Sequence, residues 1–186
     1  MCSDIKRTML CARANFLVAM GLFNYTEILG SFIVGEYQKD QTGSIKKNKE
    51  GKQLKTTSTE RFNAFLEYMG SEYKKLLKRK LKVYDELRCG LTHEYLIKKK
   101  TFCIYNPDSP IDETDMDQAL NPITKKIANC GIIHHKGAWH ILNPKYYIDL
   151  KRAIAQLQNQ IKEGNDSDLL KNFFERSRFV NMKHFS

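Results

Sequence analysis

No two of the five cysteines, Cys2, Cys11, Cys89, Cys103 and Cys130, form a CxxC pair. An odd number of widely spaced cysteines argues for reduced thiols and against both a disulfide framework and a zinc knuckle. Acidic residues are also in deficit, 21 against 31 Lys and Arg, which leaves a formal charge of +10. Such a balance favours a polyanionic partner, nucleic acid first and an acidic membrane surface second. Internal repeats, low-complexity tracts and a clean interdomain linker are all missing from the pattern. With 186 residues, one domain over 1–186 is the simplest expectation.

Long apolar runs are scarce too. Only Phe16 to Val34 could be taken for a membrane span or signal sequence, and Asn24, Thr26 and Glu27 interrupt it. A carboxylate near the middle of a span costs about 2.5–3.5 kcal/mol. The segment is therefore expected to be a buried helix of a cytoplasmic protein with no membrane role.

What is present is helical periodicity. Ile5 to Val34 reads as one long helix with Phe16, Met20, Phe23, Glu27, Gly30 and Val34 on one face. From Glu36 to Lys55 the pattern stops, and Gly43, Gly51 and the lysines 46, 47, 49, 52 and 55 suggest a mobile basic loop, solvated or holding phosphates. Thr57-Ser58-Thr59-Glu60 matches a capping box and starts a helix whose apolar face is Phe62, Phe65, Leu66 and Met69. Gly70-Ser71 breaks it. The next helix is expected from about Glu72 through His93. Its basic residues Lys74, Lys75, Lys78, Arg79 and Lys82, with Lys98, Lys99 and Lys100 beyond, are either a solvated face or a guide for a polyanion.

On that helix Leu77, Leu81, Tyr84, Arg88, Leu91 and Tyr95 step by 4, 3, 4, 3 and 4, the spacing of one α-helical face. Arg88 therefore interrupts an apolar stripe, as Glu27 interrupts the first. An ion pair between them is the simplest reconciliation, since a buried guanidinium without a partner loses hydration unreplaced. The competing reading leaves Glu27 at the solvent edge. His93 lies five residues past Arg88, about 140° further round an ideal α-helix. The two converge only if the helix bends at Gly90 or a second chain supplies the other half.

Beyond residue 100 the period changes. Thr101–Tyr105 is β-prone, Asn106–Pro110 is a turn, Asp112–Asp117 is acidic, and 131–142 reads as a hairpin about Lys136-Gly137. A small antiparallel sheet is expected, inserted over about 101–142 between a helical core of about 5–97 and 144–180. Tyr147, Leu150, Ile154, Leu157 and Ile161 form one face of the following helix. Gly164 ends it, and Asp166 or Ser167 caps a last helix bearing Leu169, Leu170, Phe173 and Phe174. The sum is a mainly α bundle of four or five helices.

The side chains with chemistry are few. An arginine and a histidine beside a basic surface suit RNA cleavage without metal: Arg88 neutralises charge growing on phosphorus oxygens, and His93 moves a proton. His134, His135 and His140 lack a ligand spacing, because adjacent strand residues face opposite ways. Cys89, four residues before His93, is either a small packing residue or half of a thiolate–imidazole pair. Trp139 either stacks on bases or packs the sheet onto the helices.

Leu87-Arg88-Cys89-Gly90-Leu91-Thr92-His93-Glu94-Tyr95 resembles the Arg-x(4–6)-His signature of the HEPN superfamily, in particular bacterial members reading Leu-Arg-Asn-Gly-Leu-hydrophobic-His-Glu-Tyr. Tyr25-Thr26-Glu27-Ile28-Leu29-Gly30 is similar to the opening helix of those members. The resemblance spans about residues 8–97 as a pattern. It implies a helical bundle that dimerises so that two signature helices share a cleft, with Arg88 and His93 catalytic and Glu27, Cys89, Glu94 and Tyr95 in support. It also implies a metal-independent endoribonuclease of toxin or defence type, with an antitoxin-like protein as a partner and no cofactor, or else a silent nucleotide-binding or protein-interaction module. Cys89 departs from the family, whose active members commonly carry Asn, Asp or His there.

Overall fold

A computed structural model describes residues 2–8, 15–79, 82–94, 101–105, 129–135 and 138–182. Its centre is helix α2 (Asn15–Val34), which packs against most of the other described helices. Phe23, Gly30 and Ser31 of the expected stripe are buried, but Val18, Ala19, Leu22, Thr26 and Leu29 join them while Phe16, Met20 and Val34 are only half-buried, so the core face is turned from the expected one. Among the described residues α2 is the single helix long and apolar enough to cross a membrane by length and composition. Here it is the core helix of a bundle.

The N-terminal segment does not continue α2 as one long helix. Helix α1 (Cys2–Arg7) lies against it instead, with Ile5 Cδ1 2.5 Å from where a Cβ on Gly21 would stand. In a straight helix those two positions would be roughly 24 Å apart, at 1.5 Å per residue. Burial of Ile5 on Gly21 therefore requires the chain to double back.

The segment after α2 is an ordered ribbon, where the sequence suggested a mobile loop. Gln38 N donates to Leu54 O at 2.8 Å, Lys46 N to Gln38 O at 2.8 Å, and Leu54 N to Lys46 O at 2.9 Å. Three short stretches thus close a ring, with an eight-residue repeat that escaped the sequence reading. Asp40 Oδ1 accepts from the amides of Thr42 and Ser44, and Asn48 Oδ1, eight residues on, accepts from those of Glu50 and Lys52. Gly43 and Gly51 close the two turns at φ of 83° and 79°, where a Cβ would be strained. Side-chain acceptors in the turns replace the missing sheet.

Helix α3 (Ser58–Tyr68) begins at the expected capping box, with Thr57 Oγ1 accepting from Glu60 N and Glu60 Oε2 accepting from Thr57 N. Phe62, Phe65 and Leu66 are fully buried. Gly70 separates α3 from α4 (Ser71–Lys78), which ends at Arg79. The continuous α-helix expected from Glu72 to His93 is therefore corrected: a separate π-helix spans Tyr84–Glu94. Tyr84, Leu87, Gly90 and Leu91 of this helix are buried, as is Val83 just before it.

Strands β1 (Thr101–Tyr105), β2 (Ile132–His135) and β3 (Ala138–Leu142) form a sheet of order β1-β3-β2. The hairpin β2–β3 is antiparallel as expected. β1, however, runs parallel to β3, with Cys103 opposite His140. The expectation of a wholly antiparallel sheet fails because parallel pairing needs a long crossover, and the 32 residues between β1 and β3 supply one. Trp139 is fully buried and its Nε1 donates to Glu86 Oε2 at 2.8 Å, tying the sheet to the π-helix.

Helix α5 (Asn143–Glu163) follows directly and ends at Gly164 in the left-handed region, φ 71°. Tyr146, Tyr147, Asp149, Leu150, Ala153 and Leu157 are among its buried residues. Asp166 Oδ1 then caps α6 (Ser167–Met182) at Leu169 N. Leu169 and Asn172 face the core and Phe173 meets Phe32, whereas Phe174, expected on the apolar face, is 59% exposed. The fold is mainly helical with a small sheet.

Candidate functional site

Glu27 stands three turns from the start of α2, one turn before Gly30. At Gly30 the two helices touch through main chain: an added Cβ would lie 1.7 Å from the Arg61 carbonyl oxygen. That close approach sets Arg61 of α3 beside Glu27. The π-helix delivers Arg88 from the other side.

The result is one carboxylate between two guanidiniums. Arg88 Nε is 2.8 Å from Glu27 Oε2, and Arg61 Nη2 is 3.8 Å from Glu27 Oε1. The side chains are 20%, 26% and 14% exposed for Arg88, Arg61 and Glu27, so the group sits at the rim of the core. The ion pair expected between Glu27 and Arg88 is present, and the solvent-edge reading of Glu27 is set aside. Arg61 also donates to Ser58 Oγ at 3.1 Å. Tyr84 flanks Arg88, its ring centroid 5.8 Å from Cζ, and its hydroxyl lies 3.5 Å from Glu27 Oε2. Burial, and then the nearby Glu27 carboxylate, raise the Tyr84 hydroxyl above its ordinary pKa, against the opposing Ser58 hydrogen bond and Arg88 charge. Tyr84 is therefore a neutral hydrogen-bonding group at neutral pH.

The winding of the π-helix changes the relation between positions 88 and 93. An α-helix places them about 140° apart. In a π-helix the amide of residue i+5 bonds to the carbonyl of residue i, so the backbone at 93 lies nearer to Arg88 in angle about the axis than an α-helix would place it. For His93 and Glu94 the backbone alone is described, and Tyr95, Lys98, Lys99 and Lys100 lie outside the described residues, as do the expected turn at Asn106–Pro110 and the acidic stretch Asp112–Asp117.

The remaining residues singled out in the sequence fall elsewhere. Cys89 is half-buried with a free thiol beside Arg88. Lys74, Lys75, Lys78, Arg79 and Lys82 are exposed, but Lys74 pairs with Glu67 and Lys75 with Glu72, each at 2.6 Å. These two carry less surplus charge than their count suggested. His134 packs its ring on Trp139, centroids 4.9 Å apart. Among the described residues no group of three or more His, Cys, Asp or Glu is placed to hold a metal ion. Trp139 follows its packing reading, since its ring is fully buried.

Two features had no sequence signal of their own. A cavity of about 530 Å³ lies between the ribbon and α6, lined by Tyr37, Lys39, Ile45, Asp168, Lys171 and Arg178 among others, and Lys39 and Asp168 pair there at 2.9 Å. It does not include Glu27 or Arg88. Under the sheet, Tyr73 donates to Asp149 Oδ2 and accepts from Gly131 N, both at 2.8 Å, while Lys145 bonds the other carboxylate oxygen. Burial and the Asp149 charge push the Tyr73 hydroxyl well up from its ordinary pKa.

No family model, no curated protein and no solved structure matches this chain.

Proposed function

We propose that the chain is a HEPN-like RNA-binding protein of the cytoplasm that cleaves RNA without metal, using Arg88 and His93. The observation that carries the reading is the Arg88–Glu27 pair at 2.8 Å on a π-helix, whose wider winding narrows the angle between positions 88 and 93. Glu27 fixes the Arg88 guanidinium through its Nε edge, and a fixed guanidinium is suited to a phosphate. In the reaction the RNA 2′-oxygen bonds to phosphorus while the bond to the 5′-oxygen breaks. The 2′-hydroxyl proton leaves to a base and the departing oxygen gains one. His93 carries a proton at one of those steps, and Arg88 offsets charge on the non-bridging oxygens. A net charge of +10 draws the polyanion towards the site. Pairing of two copies, as the resemblance implies, would place two such clusters beside one strand. An acidic antitoxin-like protein would compete for the same basic surface.

One observation favours a second reading, a silent binding or protein-interaction module. Arg88 is already matched by a carboxylate, and Cys89 follows it where a stronger hydrogen-bonding group would serve catalysis better.

Cleavage of a mixed single-stranded RNA pool in EDTA, by wild type and His93→Ala, separates the two. Products ending in a cyclic phosphate that disappear in the variant are expected. A folded wild-type protein that leaves the pool intact would favour the silent module.

A further inference from the structure

Arg61 appears in no motif, yet its guanidinium is the less satisfied of the two around Glu27. Arg88 approaches one carboxylate oxygen at 2.8 Å, whereas Arg61 reaches the other only at 3.8 Å. Its Nη2 has Ser58 Oγ at 3.1 Å, while its Nε is buried and makes no hydrogen bond among the described residues; the Arg88 Nε, also buried, meets Glu27 Oε2 at 2.8 Å as an ion pair without hydrogen-bond geometry. A buried donor left in this state is unfavourable, and five N–H groups of a guanidinium call for more than one neutral hydroxyl and one distant oxygen. Both guanidiniums meet the same carboxylate, Glu27. Partial burial strengthens their charge relative to an exposed lysine, because solvent screens it less.

We infer that Arg61 and Arg88 together form a binding site for one phosphodiester group of a nucleic-acid strand, with Glu27 as the internal anion that holds both guanidiniums until the phosphate draws Arg61 away. This rests on the reading of the chain as an RNA-binding protein and names the second group that grips the substrate. Two helices and the π-helix hold the pair in place: the contact at Gly30 fixes the Arg61 main chain, and the Tyr84 ring flanks Arg88. Arginine suits this task because its planar donor fork matches two phosphate oxygens at once. The exposed lysines of α4 supply attraction without such a geometry.

The test is equilibrium binding of a fluorescent deoxytrinucleotide, which carries the phosphodiester but no 2′-hydroxyl to attack it, to the full chain. Wild type is compared with Arg61→Gln, Arg61→Lys, Glu27→Gln and the surface control Lys162→Gln. Arg61→Gln is expected to weaken binding by about tenfold or more, the loss of a charge-assisted hydrogen bond. Arg61→Lys should fall between it and wild type, and Lys162→Gln should stay within about twofold. Glu27→Gln should bind more tightly than wild type, an effect a merely structural carboxylate would not give, and this arm stands even if Arg61→Gln fails to fold. Wild-type affinity in folded Arg61→Gln, or a loss in Glu27→Gln equal to that in Arg61→Gln, overturns the site. So does a folded wild-type protein that does not bind the trinucleotide. Tight binding with no RNA cleavage sustains the site while removing the ribonuclease, and cleavage untouched by Arg61→Gln does the reverse.

Discussion

Arg88 Nε and Glu27 Oε2, 61 residues apart in sequence, meet at 2.8 Å at the rim of the core. Removing either partner takes from the other its nearest counter-charge while it stays partly buried. Arg88→Ala is expected to lower unfolding stability by about 2–3 kcal/mol, below the range for fully buried pairs because both groups keep some solvent. Urea unfolding of both single variants and of the double variant gives the coupling. Additive losses would mean that the contact contributes nothing to the fold.

Gly30 should tolerate no side chain. Alanine there would drive its Cβ to within 1.7 Å of the Arg61 carbonyl, so α2 and α3 must separate. Gly30→Ala is expected to destabilise by about 3 kcal/mol or more, at the upper end for overpacking. Thermal melting measures this, and a crystal structure of the variant should show Arg61 displaced from Glu27.

Alkaline pH should weaken the fold. Tyr73, Tyr146 and Cys130 all have acid groups whose pKa is raised in the folded state, chiefly by burial. A raised folded pKa means that the unfolded chain gives up its protons first. The associated stability is complete below the unfolded values, about 8.5 for the thiol and about 10 for the phenols, and is lost as pH rises beyond them. The melting temperature should be flat with respect to these groups from pH 7 to about 8.5 and then fall. Tyr73→Phe should cost about 1–3 kcal/mol at neutral pH, since Asp149 and Gly131 N each lose a partner, and its alkaline decline should be shallower.

The ribbon over 36–56 should behave as folded structure. Amide exchange at Gln38, Lys46 and Leu54, which close the ring, should be far slower than at Lys49 in the outer turn. Asn48→Ala, which removes the acceptor for Glu50 N and Lys52 N, should speed exchange at Lys46 and Leu54. Uniformly rapid exchange in the wild type would restore the mobile-loop picture.

Which of these relationships could be read in advance depends on range. The Thr57/Glu60 cap, the Gly70 break, the Gly164 stop and the Asp166 cap are each decided within about four residues, by hydrogen bonds that local spacing reports. The 132–142 hairpin and the burial of Trp139 follow from alternation and size. The ring escaped because its three stretches are too short to show strand periodicity, and only the eight-residue echo of Asp40 and Gly43 in Asn48 and Gly51 marked it. The parallel pairing of β1 was hidden because sequence patterns do not show strand direction.

At the candidate site the division is similar. Spacing alone shows that Glu27 and Arg88 each interrupt an apolar stripe, and elementary electrostatics makes them partners, because opposite charges on buried faces are stable only together. The sequence also carries the Arg-x4-His spacing and the basic surplus. Only the tertiary structure decided that Arg61 joins them, because this follows from main-chain contact at Gly30 between segments 31 residues apart. The structure alone also shows that the signature segment winds as a π-helix, whose hydrogen bonds join residues five apart. Tyr84, Leu87, Gly90 and Leu91 of that segment are buried and Glu86 accepts from Trp139, long-range contacts that local propensity does not report.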